Sequence, residues 1–105
     1  MNFRKRLITD IMQLRRPAFD EAEQVYLGSE PILRDVSIDI GDCVVVKYRG
    51  YNVHMFVKEK CNDTEFVGQI YGFELIIRNN CQDLFLKKEV VFERKHICEI
   101  FKKTL

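Results

Sequence analysis

The 105-residue sequence contains no tryptophan, only two prolines and five glycines, and no Cys-x-x-Cys pair. No apolar run is long enough to cross a bilayer as a helix. The first residues carry charge but no apolar stretch of the kind that marks a secretory signal. The four cysteines, Cys43, Cys61, Cys81 and Cys98, stand at least seventeen positions apart, which sets aside the close ligand pairs of most structural zinc sites. The five glycines form no phosphate-cradling loop. Formal charge is +1, from 17 basic and 16 acidic side chains, so no global field draws in nucleic acid or an anionic membrane.

What remains is the composition of one ordinary domain. It is 47% hydrophobic and 31% charged, with eight Phe and four Tyr. A chain of this length buries roughly two-thirds of the surface it exposes when unfolded, enough for one core without disulfide or metal staples. The cysteines read as small buried hydrophobes in a reducing, cytoplasmic setting. Charge is uneven along the chain. Residues 1–16 carry five basic side chains against Asp10, whereas residues 17–42 carry seven acids against Arg34. The two segments therefore lie near each other or face different partners, against the plainer reading of two solvated faces.

Phe3, Leu7, Ile11 and Leu14 fall on one helical stripe, widened by Ile8 and Met12, which predicts an amphipathic helix over residues 3–15. If that stripe packs against a second copy, the protein is a homodimer. Arg16-Pro17 interrupts the pattern, since proline disfavours helical geometry in the residue before it. Pro17 suits the first turn of a second helix, along which Ala18, Ala22, Val25 and Tyr26 repeat until Gly28. The period then changes to two. Val36, Ile38 and Ile40 alternate with polar residues as in a half-buried strand, and Gly41-Asp42 turns the chain into the β-branched run 43–48. Arg49-Gly50 separates that run from residues 51–57, a hairpin signal. Residues 66–71 form the next strand, Gly72 marks a bend or bulge, and residues 73–78 continue as a fourth strand or as the bent half of the third. Residues 79–83 read as a loop and residues 90–92 as a strand. Glu93-Arg94-Lys95-His96 reads as one helical turn, and Ile97, Ile100 and Phe101 close the chain.

The order of these parts, with Gly41-Asp42 leading into Val44, Val46 and Tyr48, then Phe66-x-Gly68-x-Ile70, and finally Val90-x-Phe92, a one-turn spacer and Ile97, resembles the SH3-like small barrels of the Tudor and KOW type over residues 36–101. The expected fold is thus α+β, mainly β. It is a small antiparallel SH3-like barrel of five or six strands, in a single domain spanning 1–105, with one or two helices in residues 1–28. The resemblance implies binding rather than chemistry, through aromatic side chains beside the barrel loops. Tyr48, Tyr51, Phe56, Tyr71 and Phe73, with Arg49 in the hairpin turn, match those places in order. Alternation sets Tyr51 with Val53, Met55 and Val57, and Phe56 with His54, so the set cannot all point one way. The competing reading places most of these rings in the core.

Other chemistries have weaker footing. A nucleic-acid reading rests on Arg4, Lys5, Arg6, Arg15 and Arg16 near the N-terminus, supported by later lysines and arginines, yet no named nucleic-acid module is present. Cys43, His54, Cys61, Cys81, His96 and Cys98 are the only soft metal-ligand candidates, with His96-x-Cys98 the nearest pair, and no metal or cofactor is expected. No catalytic constellation stands out. The expected function is a non-catalytic protein-binding or regulatory accessory module. The alternatives are a nucleic-acid-binding domain and a small thiol-dependent enzyme.

Overall fold

The computed structural model describes residues 13–32, 36–74, 80–81 and 84–103. The expected first helix lies largely outside them, and with it Phe3, Leu7 and Ile11 of the apolar stripe. Leu14 is half-buried in a turn.

The second expected helix is not formed. Residues 17–24 run as an irregular extended strap, followed by β1 (Val25–Leu27) and β2 (Glu30–Ile32). Tertiary partners outweigh a weak helical stripe. The Asp20 N–H donates to the Lys47 carbonyl and the Ala22 N–H to the Lys95 carbonyl, each at 2.9 Å. Burial also falls off the stripe, since Phe19 is buried while Ala18 and Tyr26 are exposed. Gly28, at φ 61°, turns the chain between β1 and β2.

Downstream, the mainly-β expectation holds, in a different closure. The strands are β3 (Cys43–Tyr48), β4 (Tyr51–Lys60), β5 (Glu65–Glu74), β6 (Asn80–Cys81), β7 (Leu84–Phe85), β8 (Glu89–Glu93) and β9 (Ile97–Phe101), with a 3₁₀ turn at Arg94–His96 between the last two. Among the described residues, seven of nine strands form a single sheet in the order β2-β1-β9-β3-β4-β5-β8, and β6 and β7 pair separately. The two outermost strands, β2 and β8, are not paired with each other, so the sheet is open rather than closed into the expected barrel. Both edges are nevertheless guarded. β2 is three residues long with Pro31 at its centre, and Arg15 lies beside β8 and accepts a hydrogen bond from the Val91 N–H at 2.8 Å.

Local sequence explains the strand arrangement. Arg49 and Gly50 both have positive φ (52° and 86°), which matches the right-handed strand twist and closes a two-residue hairpin with Tyr48 opposite Tyr51. β5 runs unbroken through Gly72, and the bend there is a register shift against His54 and Met55. The expected strand at Val36, Ile38 and Ile40 is an irregular approach to β3, and of those three residues Ile38 alone is fully buried. The side chains on one face of the sheet form the core: Val44, Val46 and Tyr48 from β3, Val53, Met55 and Val57 from β4, Phe66 and Ile70 from β5, Val90 and Phe92 from β8, and Ile97 and Ile100 from β9, closed over by Phe19 and Ile38. Gly68 is required here by space, because a Cβ would come within 2.8 Å of the Phe92 ring and 3.0 Å of the Met55 sulfur.

The approach to β3 is tied to the end of the sheet through Asp42. Its fully buried carboxylate accepts hydrogen bonds from the Asp39 N–H (2.8 Å), the Lys103 N–H (3.0 Å) and Lys102 Nζ (2.5 Å). Burial alone would raise its pKa. Lys102 and the two backbone donors outweigh that and hold the carboxyl below the ordinary carboxylate range. Among the described residues, no helix is long and apolar enough to cross a membrane.

Candidate functional site

The sheet's second face holds the chemistry of interest. Strand alternation that sends Val44, Met55 and Ile70 into the core sends Cys43, Phe56 and Tyr71 to the opposite side. Cross-strand register then aligns them. Cys43 is opposite Phe101 on β9 and opposite Phe56 on β4, so the three share a row. Tyr71 reaches diagonally from β5 and stacks on Phe56 with ring centroids 4.3 Å apart and planes at 29°. Phe56, Tyr71 and Phe101 are 38%, 41% and 41% exposed, far more than the core rings.

Polar groups border this stripe. The Tyr71 hydroxyl shares a hydrogen bond with the Cys43 thiol, and burial followed by Cys43 pushes the phenol up to about 12, so it stays protonated in any physiological buffer. His54 meets the Tyr71 ring edge-on at 5.8 Å and contacts Glu74 at 3.0 Å, while Asn52 donates to the same carboxylate at 2.6 Å. The Asn52 hydrogen bond, then His54, hold the Glu74 carboxyl below the ordinary range. Beyond Asn52 opens a groove of about 810 Å³ between this face and residues 20–29. Asp20, Glu21, Glu23 and Glu99 outnumber Lys47 along its walls, and Tyr26, 40% exposed, stands at its side. Where β5 meets β8 the same face is closed, since Val67 and Val91 are buried.

The six residues proposed from the sequence are therefore divided. Tyr48 is buried, edge-on to Phe19 at 5.8 Å, with the Arg49 guanidinium 5.3 Å from its ring centroid. Tyr51 and Phe73 pack partly buried against the core. Phe56 and Tyr71 lie on the opposite face and form a stack, not a cage. His54 was already set on the Phe56 side by alternation; Cys43 joins through the pairing of β3 with β4, and Phe101 and Tyr26 went unrecognised because only the pairing of β9 with β3 and β1 brings them to this face. The alternation of Phe101 with Ile100 was the available signal.

Of the basic candidates, Arg4, Lys5 and Arg6 lie outside the described residues. Arg15 flanks β8, and Arg16 is paired with Glu65 at 2.5 Å. Cys43, Cys61 and Cys98 are half-buried thiols that form no disulfide among the described residues. Burial pushes the Cys98 thiol up, the opposite of activation, and its Sγ donates to the Val45 carbonyl at 3.2 Å. Among the described residues, no three His, Cys, Asp or Glu side chains are grouped to hold a metal ion. No protein-family model, curated protein or solved structure matches this chain.

Proposed function

We propose that this protein is a non-catalytic binding module that takes a protein partner on the outer face of its sheet, with Phe56, Tyr71 and Phe101 as anchors. The observation that supports this most strongly is the stacked, exposed Phe56–Tyr71 pair on a sheet that already has a complete core on its other face. Exposed aromatic clusters of this kind supply binding energy at low entropic cost, because the rings have few rotamers to lose. The acids along the adjoining groove favour a partner bearing apolar and cationic side chains over one bearing phosphate. Binding by strand addition is disfavoured by Pro31 at one edge and Arg15 at the other. Thiols outside any disulfide suit a reducing, cytoplasmic setting.

The test is site-specific photo-crosslinking in cells, with a benzophenone amino acid at Phe56 or Phe101 and, as control, at exposed Asp63 in the turn between β4 and β5. A discrete crosslinked protein at the first two positions, lost on Tyr71→Ala and absent at Asp63, supports the reading. Equal crosslinking at all three positions counts against it. A titration with single- and double-stranded oligonucleotides at low and high salt examines the nucleic-acid alternative, for which salt-sensitive micromolar binding is the signature.

A further inference from the structure

We propose that His96 is a proton-sensitive latch on the strap formed by residues 17–24, and that its protonation lets the strap lift from the sheet. Among the described residues, the strap's anchors include an exposed Glu21–Lys95 ion pair at 3.3 Å, two backbone hydrogen bonds and one inserted ring. The Asp20 N–H donates to Lys47 at one end of β3, the Ala22 N–H donates to Lys95 in the 3₁₀ turn, and Phe19 inserts between Tyr48 and His96 with ring centroids 5.8 Å from each. His96 is 9% exposed.

The decisive contact is backbone to side chain. The Glu93 N–H donates to His96 Nδ1 at 3.1 Å. A backbone N–H has no lone pair to offer, so Nδ1 must be bare, and the folded arrangement requires a neutral ring with any proton on Nε2. An imidazolium carries a proton on both nitrogens. It breaks this bond and leaves the Glu93 N–H facing a donor. Burial acts in the same direction and lowers the His96 pKa. Glu93, Glu21 and Asp20 oppose it, whereas Lys95 reinforces it. Glu23, Tyr26, Lys47, Cys98 and Glu99 complete the ionisable groups that share the groove with the ring.

The strap is a wall as well as a plug. Residues 21–24 line both the 810 Å³ groove on the outer face and a second groove of about 760 Å³, whose floor includes Ile38, Ile97 and Ile100. Lifting the strap uncovers that apolar floor and Phe19 itself. Because the folded ring binds its proton less readily than a free histidine, the stabilisation is present above a pH of about 6.5 and is withdrawn as pH falls through the folded value.

Amide exchange of the full-length protein, followed residue by residue between pH 7.5 and 5 and corrected for intrinsic rates, tests the latch. The opening constant at Asp20 and Ala22 should rise by up to about tenfold per pH unit as pH falls from about 6.5 towards the lower folded value of His96 and level off below it, while amides of β4 and β5 do not follow. His96→Gln keeps an acceptor for the Glu93 N–H but cannot titrate, so its strap should open independently of pH over this range. An identical pH profile in wild type and variant overturns the proposal. Imidazole ¹⁵N shifts of the wild type give a readout that needs no variant. They should show Nδ1 unprotonated at pH 7.5, with protonation at lower pH coinciding with strap opening; a protonated Nδ1 at pH 7.5 overturns the proposal equally.

Discussion

The two faces of the sheet use the same residue types for different ends. On the inner face, Phe66 and Phe92 stack at 5.5 Å and are almost wholly buried among valines and isoleucines. On the outer face, Phe56 and Tyr71 stack more closely yet remain about two-fifths exposed, beside a carboxylate and an imidazole. Ring stacking is common to both, and exclusion of water belongs to one. Since most of an aromatic side chain's contribution comes from removing its area from water, the inner pair holds the fold while the outer pair has surface to spare for a partner.

Substitution should separate the faces in graded fashion. Phe92→Ala is expected to cost about 3–5 kcal/mol in denaturant unfolding, because the cavity it leaves is enclosed by Phe66, Gly68 and the neighbouring strands. Asp42→Ala, at the joint between the approach to β3 and the end of β9, should cost about 2–3 kcal/mol by stranding two backbone donors and Lys102. Gly68→Ala should cost about 1–3 kcal/mol by overpacking the inner face, with Met55 and Phe92 forced to move. A pH titration of stability sharpens the Asp42 result. The folded carboxyl titrates below its unfolded value, so the wild type should lose stability as pH falls below about 4 while Asp42→Ala, already weaker, loses less there.

Much of the inner face was legible in the sequence. β-branched runs bounded by Arg49-Gly50, and the two-residue alternation through Phe66, Gly68 and Ile70, specify strands and their buried sides with little help from the rest of the chain. The 3₁₀ turn at Arg94–His96 was equally readable. The first quarter was not. Ala18, Ala22, Val25 and Tyr26 match a helix only weakly, and their conformation is decided by carbonyls of Lys47 and Lys95, which are distant in sequence. Closure also eluded the pattern. Strand order can be inferred from hairpins, but whether the last strand returns to the first depends on twist and bulges accumulated over the whole sheet. For the candidate surface, alternation correctly parted Phe56 from Tyr51. Bringing Phe101 beside Cys43, or His96 against Phe19, required the non-local pairing of β9 and the path of the strap.

The most direct measurement is the unfolding free energy of the double variant Phe56→Ala/Tyr71→Ala beside that of Phe92→Ala. Outer rings that are surplus to the fold should together cost no more than about 1–2 kcal/mol, leaving a cooperative transition and an unchanged β-sheet spectrum. A loss equal to or greater than that of Phe92→Ala would mean that the outer pair is part of the core, and the binding role assigned to that face would fall with it.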